Sequence, residues 1–190
     1  RAATWTHDLA KAEASVARFL SSGVLQLGPK LGPLLWQMPP ARRFDEAFAA
    51  FAALLPAEHG GATLRHVVEA RHESFNCEDF VALLRGRNIA RAIIDSPKHA
   101  LLGDLASDFV YARLERNDAA APEGYASDAL DTWRDRAVRW SKGEPVSDVP
   151  SVAPASAKRP RDCFLYFISG DKQRAPAAAQ AMLARLAKAA

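Results

Sequence analysis

The sequence predicts an α/β protein built on a parallel sheet of the (β/α) barrel kind, and three observations carry that expectation. Strand-like and helix-period segments alternate five times along 190 residues. The strand-like segments are continuous apolar runs, the pattern of strands buried on both faces. Neither Gly-x-Gly-x-x-Gly nor Gly-Lys-Ser/Thr occurs, so the fingerprints of dinucleotide-binding and phosphate-loop sheets are absent. An open doubly wound sheet is also compatible with the alternation, and size separates the two. A full barrel takes about 250 residues, so 190 residues fall short by roughly three strands and their connections. Those strands would precede Arg1. The expectation is a single domain over 1–190, the C-terminal portion of a barrel whose N-terminal strands are missing.

Each element has a local reason. From Asp8 to Ser22, Leu9, Ala12, Val16, Phe19 and Leu20 recur at helical spacing, with Asp8 placed to cap and Gly23 to stop. The apolar run Leu31–Met38, bounded by Gly, Pro and Pro39-Pro40, reads as a buried strand. Asp45–Leu55 returns to helical spacing through Phe48, Phe51, Ala52 and Leu55. Val67–Ala70 is a second strand, Cys77–Arg85 a helix, and Ile89–Ile94 a third strand closed by Asp95-Ser96-Pro97, since proline cannot donate to a ladder. Phe109–Leu114 is the fourth strand and Ser127–Trp140 a helix. Positions 143–162 hold four prolines and no periodicity, which reads as a flexible surface loop. Cys163–Ile168 is the fifth strand, and Ala175–Lys188 a closing helix with Pro176 tolerated in its first turn.

Composition bounds the function. With 49% apolar and 25% charged residues the chain reads as an ordinary globular protein. A formal net charge of +3, mostly from scattered arginines, is too small and dispersed to predict nucleic-acid binding. Cys77 and Cys163 lack metal-type spacing and read as free thiols of a reducing compartment. No apolar run approaches the ~20 residues of a membrane span, and no leader is evident, so the cytoplasm is the expected address.

The chemistry is expected where strands end, because the C-terminal loops of a parallel barrel converge on its axis. The first strand ends in Gln37, the second in Glu69, Arg71 and His72, the third in Asp95, the fourth in Arg113, and the fifth in Ser169, Asp171 and Lys172. Glu69 and Arg71, two apart on a strand, share a face and form either an internal ion pair or part of a site. His72 can act as base, ligand or simple hydrogen bonder. Asp95 either belongs to the site or caps the turn at Pro97, and Arg113 is either an anion contact or a structural ion-pair partner. Glu69, His72 and Asp95 offer donors for a divalent cation only weakly, so no metal is assigned. The pair Arg71 and Arg113 favours an anion, which guanidinium groups bind through planar two-pronged contacts. Trp133, Trp140, Phe48 and Phe51 read as core, and Trp5 and Trp36 as core or ligand wall. Arg42-Arg43 and Arg159–Arg161 read as solvated charge, and His59, His66 and His99 receive no role.

Several segments together resemble a known family. They are Thr6-His7 before a helix, Leu31-Gly32-Pro33-Leu34-Leu35-Trp36-Gln37-Met38-Pro39-Pro40, Glu69-Ala70-Arg71-His72-Glu73-Ser74-Phe75, Tyr111-Ala112-Arg113-Leu114, Tyr166-Phe167-Ile168-Ser169-Gly170, and Arg174-Ala175-Pro176-Ala177-Ala178-Ala179. Their order is that of the YecE-like proteins, domain of unknown function 72, and the resemblance spans essentially the whole chain. It implies a TIM-barrel-like α/β fold and adds His7 to the candidate ligand contacts. The family's N-terminal third has no counterpart here, and Ser169-Gly170-Asp171 departs from the asparagine-rich strand end of many members. The resemblance implies no reaction and no cofactor.

The leading functional expectation is a hydrolase-type enzyme binding an anionic or phosphorylated small molecule. Arg71, Arg113, Gln37 and His7 would be its contacts, and Glu69, His72 and Asp95 its catalytic candidates. The alternatives are a non-catalytic ligand-binding or interaction protein whose charges pair internally, and nucleic-acid processing through exposed tryptophans and a basic groove.

Overall fold

The computed structural model describes residues 3–5, 9–168 and 172–189. In chain order it has a 3-10 turn at Leu9–Lys11, α1 (Glu13–Leu20), a kinked 3-10 segment Val24–Lys30, β1 (Leu34–Gln37), α2 (Glu46–Ala53), β2 (Glu58–His59), β3 (Ala62–Thr63) and β4 (His66–Glu69). There follow a 3-10 turn at Glu73–Phe75, α3 (Glu78–Arg85), β5 (Ala90–Asp95), β6 (Phe109–Leu114), α4 (Ser127–Ser141), β7 (Asp162–Phe167) and α5 (Ala175–Ala189). The chain is an α/β protein whose five-stranded sheet runs in the order β1-β4-β5-β6-β7 with every pairing parallel.

Two compact units divide the chain. The first holds 1–91 with the short returns 105–107 and 152–154, and the second holds the rest. In the first, β1 pairs with β4 in the register Leu34↔His66 through Gln37↔Glu69, and Val67 and Val68 pair with Ala90 and Arg91. Alternation sends Trp36, His66 and Val68 toward the helices, where Trp36 meets Phe51 of α2 edge-on at 5.8 Å. Beneath them Phe44, Phe48, Phe75 and Phe80 form a cluster of mostly edge-to-face rings, with Phe48–Phe75 and Phe75–Phe80 each 5.0 Å apart. The Asp45 carboxylate caps α2 by accepting the Phe48 N–H at 2.9 Å.

In the second unit the rest of β5 pairs with β6, and β6 with β7. Leu130, Trp133 and Trp140 of α4 are fully buried, with Tyr125 just before the helix packed edge-on against Phe167 of β7. A long element-free stretch connects α4 to β7. Its anchor is Arg161, which is 5% exposed, donating to Ser156 Oγ and to the carbonyls of Ala157 and Arg159, each at 3.0 Å. The expectation that this arginine is solvated is therefore corrected, because the Ala157 and Arg159 carbonyls and the Ser156 hydroxyl draw its guanidinium inward.

Three boundaries differ from expectation. The first helix is split at Ala12, which offers no side-chain cap, and Asp8, its expected cap, lies outside the described residues. The run from Leu31 becomes a strand only at Leu34, immediately after Pro33, which has no N–H to pair. A two-residue hairpin, β2 with β3, folds about Gly60 and Gly61 at φ +58° and +78°, the left-handed pair that such a turn requires. No helix among the described residues is long and apolar enough to cross a membrane.

Candidate functional site

In the first unit the register Gln37↔Glu69 puts both side chains on the sheet face turned away from α2 and α3. The Glu69 carboxylate is fully buried. Gln37 Nε2 donates to its Oε1 at 2.8 Å, and the same oxygen receives Arg71 Nε and Nη2, each at 2.7 Å. A buried carboxylate without such donors would be protonated or expelled to water, so these partners are what allow it to stay. Arg71 remains 24% exposed, and Gln37 is partly exposed as well.

His72 follows at the strand exit with a local task. Its Nδ1 accepts the Ser74 N–H at 3.1 Å, capping the 3-10 turn that starts at Glu73, and receives the Ser74 hydroxyl at 3.0 Å. Ser74 Oγ in turn accepts the Phe44 N–H at 2.9 Å.

The cavity of about 480 Å³ beside β1 and α1 includes Thr4, Trp5, Arg18, Phe19, Trp36 and Gln37 in its wall. Trp5 and Phe19 are exposed there, whereas Trp36 is buried and donates its indole N–H to His66. His66 thus has two partners, the buried Trp36 indole and the Pro56 carbonyl, which are 30 and 10 residues away in sequence.

In the second unit Asp95 and Arg113 leave neighbouring strands on opposite faces. Arg113 is in register with Ile94, and Asp95 with Leu114. Asp95 consequently points to the helical layer. Its Oδ2 receives the Tyr125 hydroxyl at 2.5 Å and the Trp133 indole N–H at 3.0 Å, and its Oδ1 receives Arg116 Nε at 2.6 Å. Burial and the neighbouring Asp95 carboxylate push the Tyr125 phenol far above its usual range.

On the opposite face Arg113 lies 3.8 Å from Glu115, both largely buried. Desolvation draws the guanidinium below its ordinary value, and Glu115 opposes that shift. Tyr111, on the same face, stacks against Tyr166 with centroids 4.8 Å apart, and burial followed by Tyr166 pushes its phenol up to about 12.

Of the predicted residues, the structure brings Gln37, Glu69 and Arg71 into one hydrogen-bonded cluster, with His72 next along the chain. Asp95 joins residues not predicted with it, Arg116, Tyr125 and Trp133, and Arg113 pairs with Glu115. Lys172 is exposed, while His7, Ser169 and Asp171 lie outside the described residues. No group of three or more His, Cys, Asp or Glu side chains among the described residues could hold a metal ion. Arg116 was legible only as one more charge after a strand, because its partners, Asp95 and the Ser96 carbonyl, come from the end of another strand.

The model of the family described as protein of unknown function DUF72 matches residues 1–190. Among solved structures the chain is similar to a DUF72 family protein from Thermotoga maritima, with 19% identity, 96% of this chain and 65% of that chain covered, and a TM-score of 0.62. It is also similar to a DUF72 family protein from Enterococcus faecalis. One structure of that protein gives 14% identity, coverage of 92% and 67%, and a TM-score of 0.59. Another gives 13%, 96% and 69%, and 0.65. The chain thus spans about two thirds of the length of these proteins. No curated protein matches it. At these identities the structural likeness establishes the fold, the family match extends from the first residue to the last, and the chain belongs to the DUF72 family.

Proposed function

We propose that the chain is the C-terminal portion of a TIM-barrel-like protein that binds an anionic or phosphorylated small molecule at its strand ends and acts on it as a hydrolase. The observation that carries this reading is the buried Glu69 carboxylate, held by Gln37 and Arg71 at the C-terminal ends of β1 and β4. An anion arriving at the partly exposed Arg71 competes for its guanidinium and loosens its hold on Glu69. The carboxylate is then able to take a proton from an attacking water. His72 is the alternative acid or base, and Arg113 stays a candidate anion contact. Asp95 faces the helical layer, so in this reading the proton transfers fall to Glu69 and His72. His7 stays a candidate contact. A cytoplasmic address and a single folding domain belong to the same proposal.

The same geometry favours a second reading. Arg71 places both Nε and Nη2 on Glu69, as a non-catalytic binding protein with a closed charge network would. The test is turnover of a panel of phosphoesters and glycosides by the wild type, Glu69→Gln and Arg71→Ala. Loss of kcat in Glu69→Gln with a raised KM in Arg71→Ala supports the enzyme. Ligand binding without turnover supports the second reading, and neither binding nor turnover overturns both.

A further inference from the structure

We infer that Arg116, just beyond the end of β6, is the anion-binding group of a separate site, with Asp95 as its positioning residue. The ligand chemistry is an oxyanion presenting two adjacent oxygens, a phosphate monoester or a carboxylate. The site lies wholly in the second unit and stands whether or not Glu69 and Arg71 act as proposed above.

The inference begins with how the guanidinium is held. Arg116 Nε donates to Asp95 Oδ1 at 2.6 Å and Nη2 donates to the Ser96 carbonyl at 3.1 Å. These two contacts use one edge of a group that has five N–H donors in a rigid plane. The other edge, formed by Nη1 and the second N–H of Nη2, is the fork that matches a carboxylate or phosphate with two parallel hydrogen bonds. The side chain is 50% exposed although its inner edge is bonded to buried partners, Asp95 and Ser96. Arg71 and Arg113 are 24% and 16% exposed, so Arg116 presents itself to solvent more than either arginine singled out from sequence.

The backing is equally specific. Asp95 is 7% exposed and takes three side-chain donors, of which Tyr125 and Trp133 are neutral and buried. They leave the carboxylate's negative charge to be balanced by Arg116. The Asp95 carboxylate thereby ties Arg116, in the loop after β6, to Tyr125 just before α4. A guanidinium held at its inner edge loses little rotamer freedom when an anion arrives, and that pre-organisation is what distinguishes a binding arginine from a solvated one.

The test is a titration of the intact chain with inorganic phosphate and, separately, with acetate at constant ionic strength, followed by calorimetry and by the arginine Nε–H signals in NMR. Phosphate, acetate or both should shift the Arg116 signal, and the tighter of the two identifies the ligand's source. Arg116→Ala should weaken that binding roughly tenfold or more, and Arg116→Lys nearly as much, since an ammonium keeps the charge without the fork. Asp95→Asn, with Arg116 still present, should weaken it several-fold. Where that variant does not melt cooperatively, Tyr125→Phe replaces it. Arg116→Ala binding as tightly as wild type, Arg116→Lys binding unimpaired, or no response of the Arg116 signal to either anion would each overturn the inference. Loss of phosphate binding in Arg71→Ala but not in Arg116→Ala would overturn it and leave the strand-end reading standing.

Discussion

The indole N–H of Trp36 donates to Nδ1 of His66 across 3.0 Å, and that bond decides which imidazole nitrogen carries the proton. With Nδ1 accepting, Nε2 holds the hydrogen and donates it to the Pro56 carbonyl at 2.7 Å. The neutral ring is thereby satisfied at both ends, while burial opposes its protonation and lowers its pKa below 6.5.

This makes stability fall on the acid side. Between the folded and unfolded pKa values the unfolded chain binds more protons at His66. The contribution is therefore complete above about pH 6.5, the unfolded value, and is lost as pH falls below it. Urea midpoints measured from about pH 8 down to about pH 5 should decline. His66→Gln should flatten part of that decline while costing ~1–3 kcal/mol at neutral pH through an unsatisfied Trp36 N–H or Pro56 carbonyl.

Removing Arg71 should destabilise the protein more than removing its partner with it. Arg71→Met removes the two guanidinium contacts that Glu69 Oε1 receives, and a loss of roughly 3 kcal/mol is expected. Adding Glu69→Gln should recover most of that loss. Denaturant melts of the two single variants and the double variant give the coupling directly.

Gly124→Ala should cost ~1–3 kcal/mol. The residue sits at φ +71°, and an added Cβ would collide with the backbone carbonyl of Arg174, which cannot swing aside as a side chain would. A drop in melting temperature without change in the folded far-ultraviolet spectrum would match this. An unchanged melting temperature would contradict it.

Cys163 should resist thiol reagents at about pH 8 in the folded protein. Burial, and then Asp162, pushes its pKa up to about 12, so almost none is thiolate. Peptide mapping after brief alkylation should find Cys163 unmodified until denaturant is added.

Strand identity was legible because β4 and β5 are buried along their whole length and β6 along nearly all of it, which favours the mostly apolar runs seen in the sequence, with Arg91 and Arg113 as charged exceptions inside them. The pairing of Glu69 with Arg71 was legible as one of two alternatives, since a spacing of two fixes a common face. The separation of Asp95 from Arg113 was not, because the face each residue takes depends on the register between β5 and β6, and a slip of one residue inverts it. His66 was passed over for a similar reason. Its partner Trp36 is brought alongside only by the parallel register of β1 with β4, and nothing within reach of His66 along the chain announces it. The hairpin at Glu58–Thr63 is too short to show a period, although Gly60-Gly61 carries its turn signal.

The inward turn of Arg161 has a consequence for limited proteolysis. The stretch between α4 and β7 exposes Lys158 and Arg159, which would ordinarily invite trypsin. Arg159 is followed by Pro160, a bond trypsin does not accept, and Arg161 has its guanidinium occupied by Ser156, Ala157 and Arg159. Digestion of the native protein between Pro145 and Asp162 should therefore give a single nick, after Lys158.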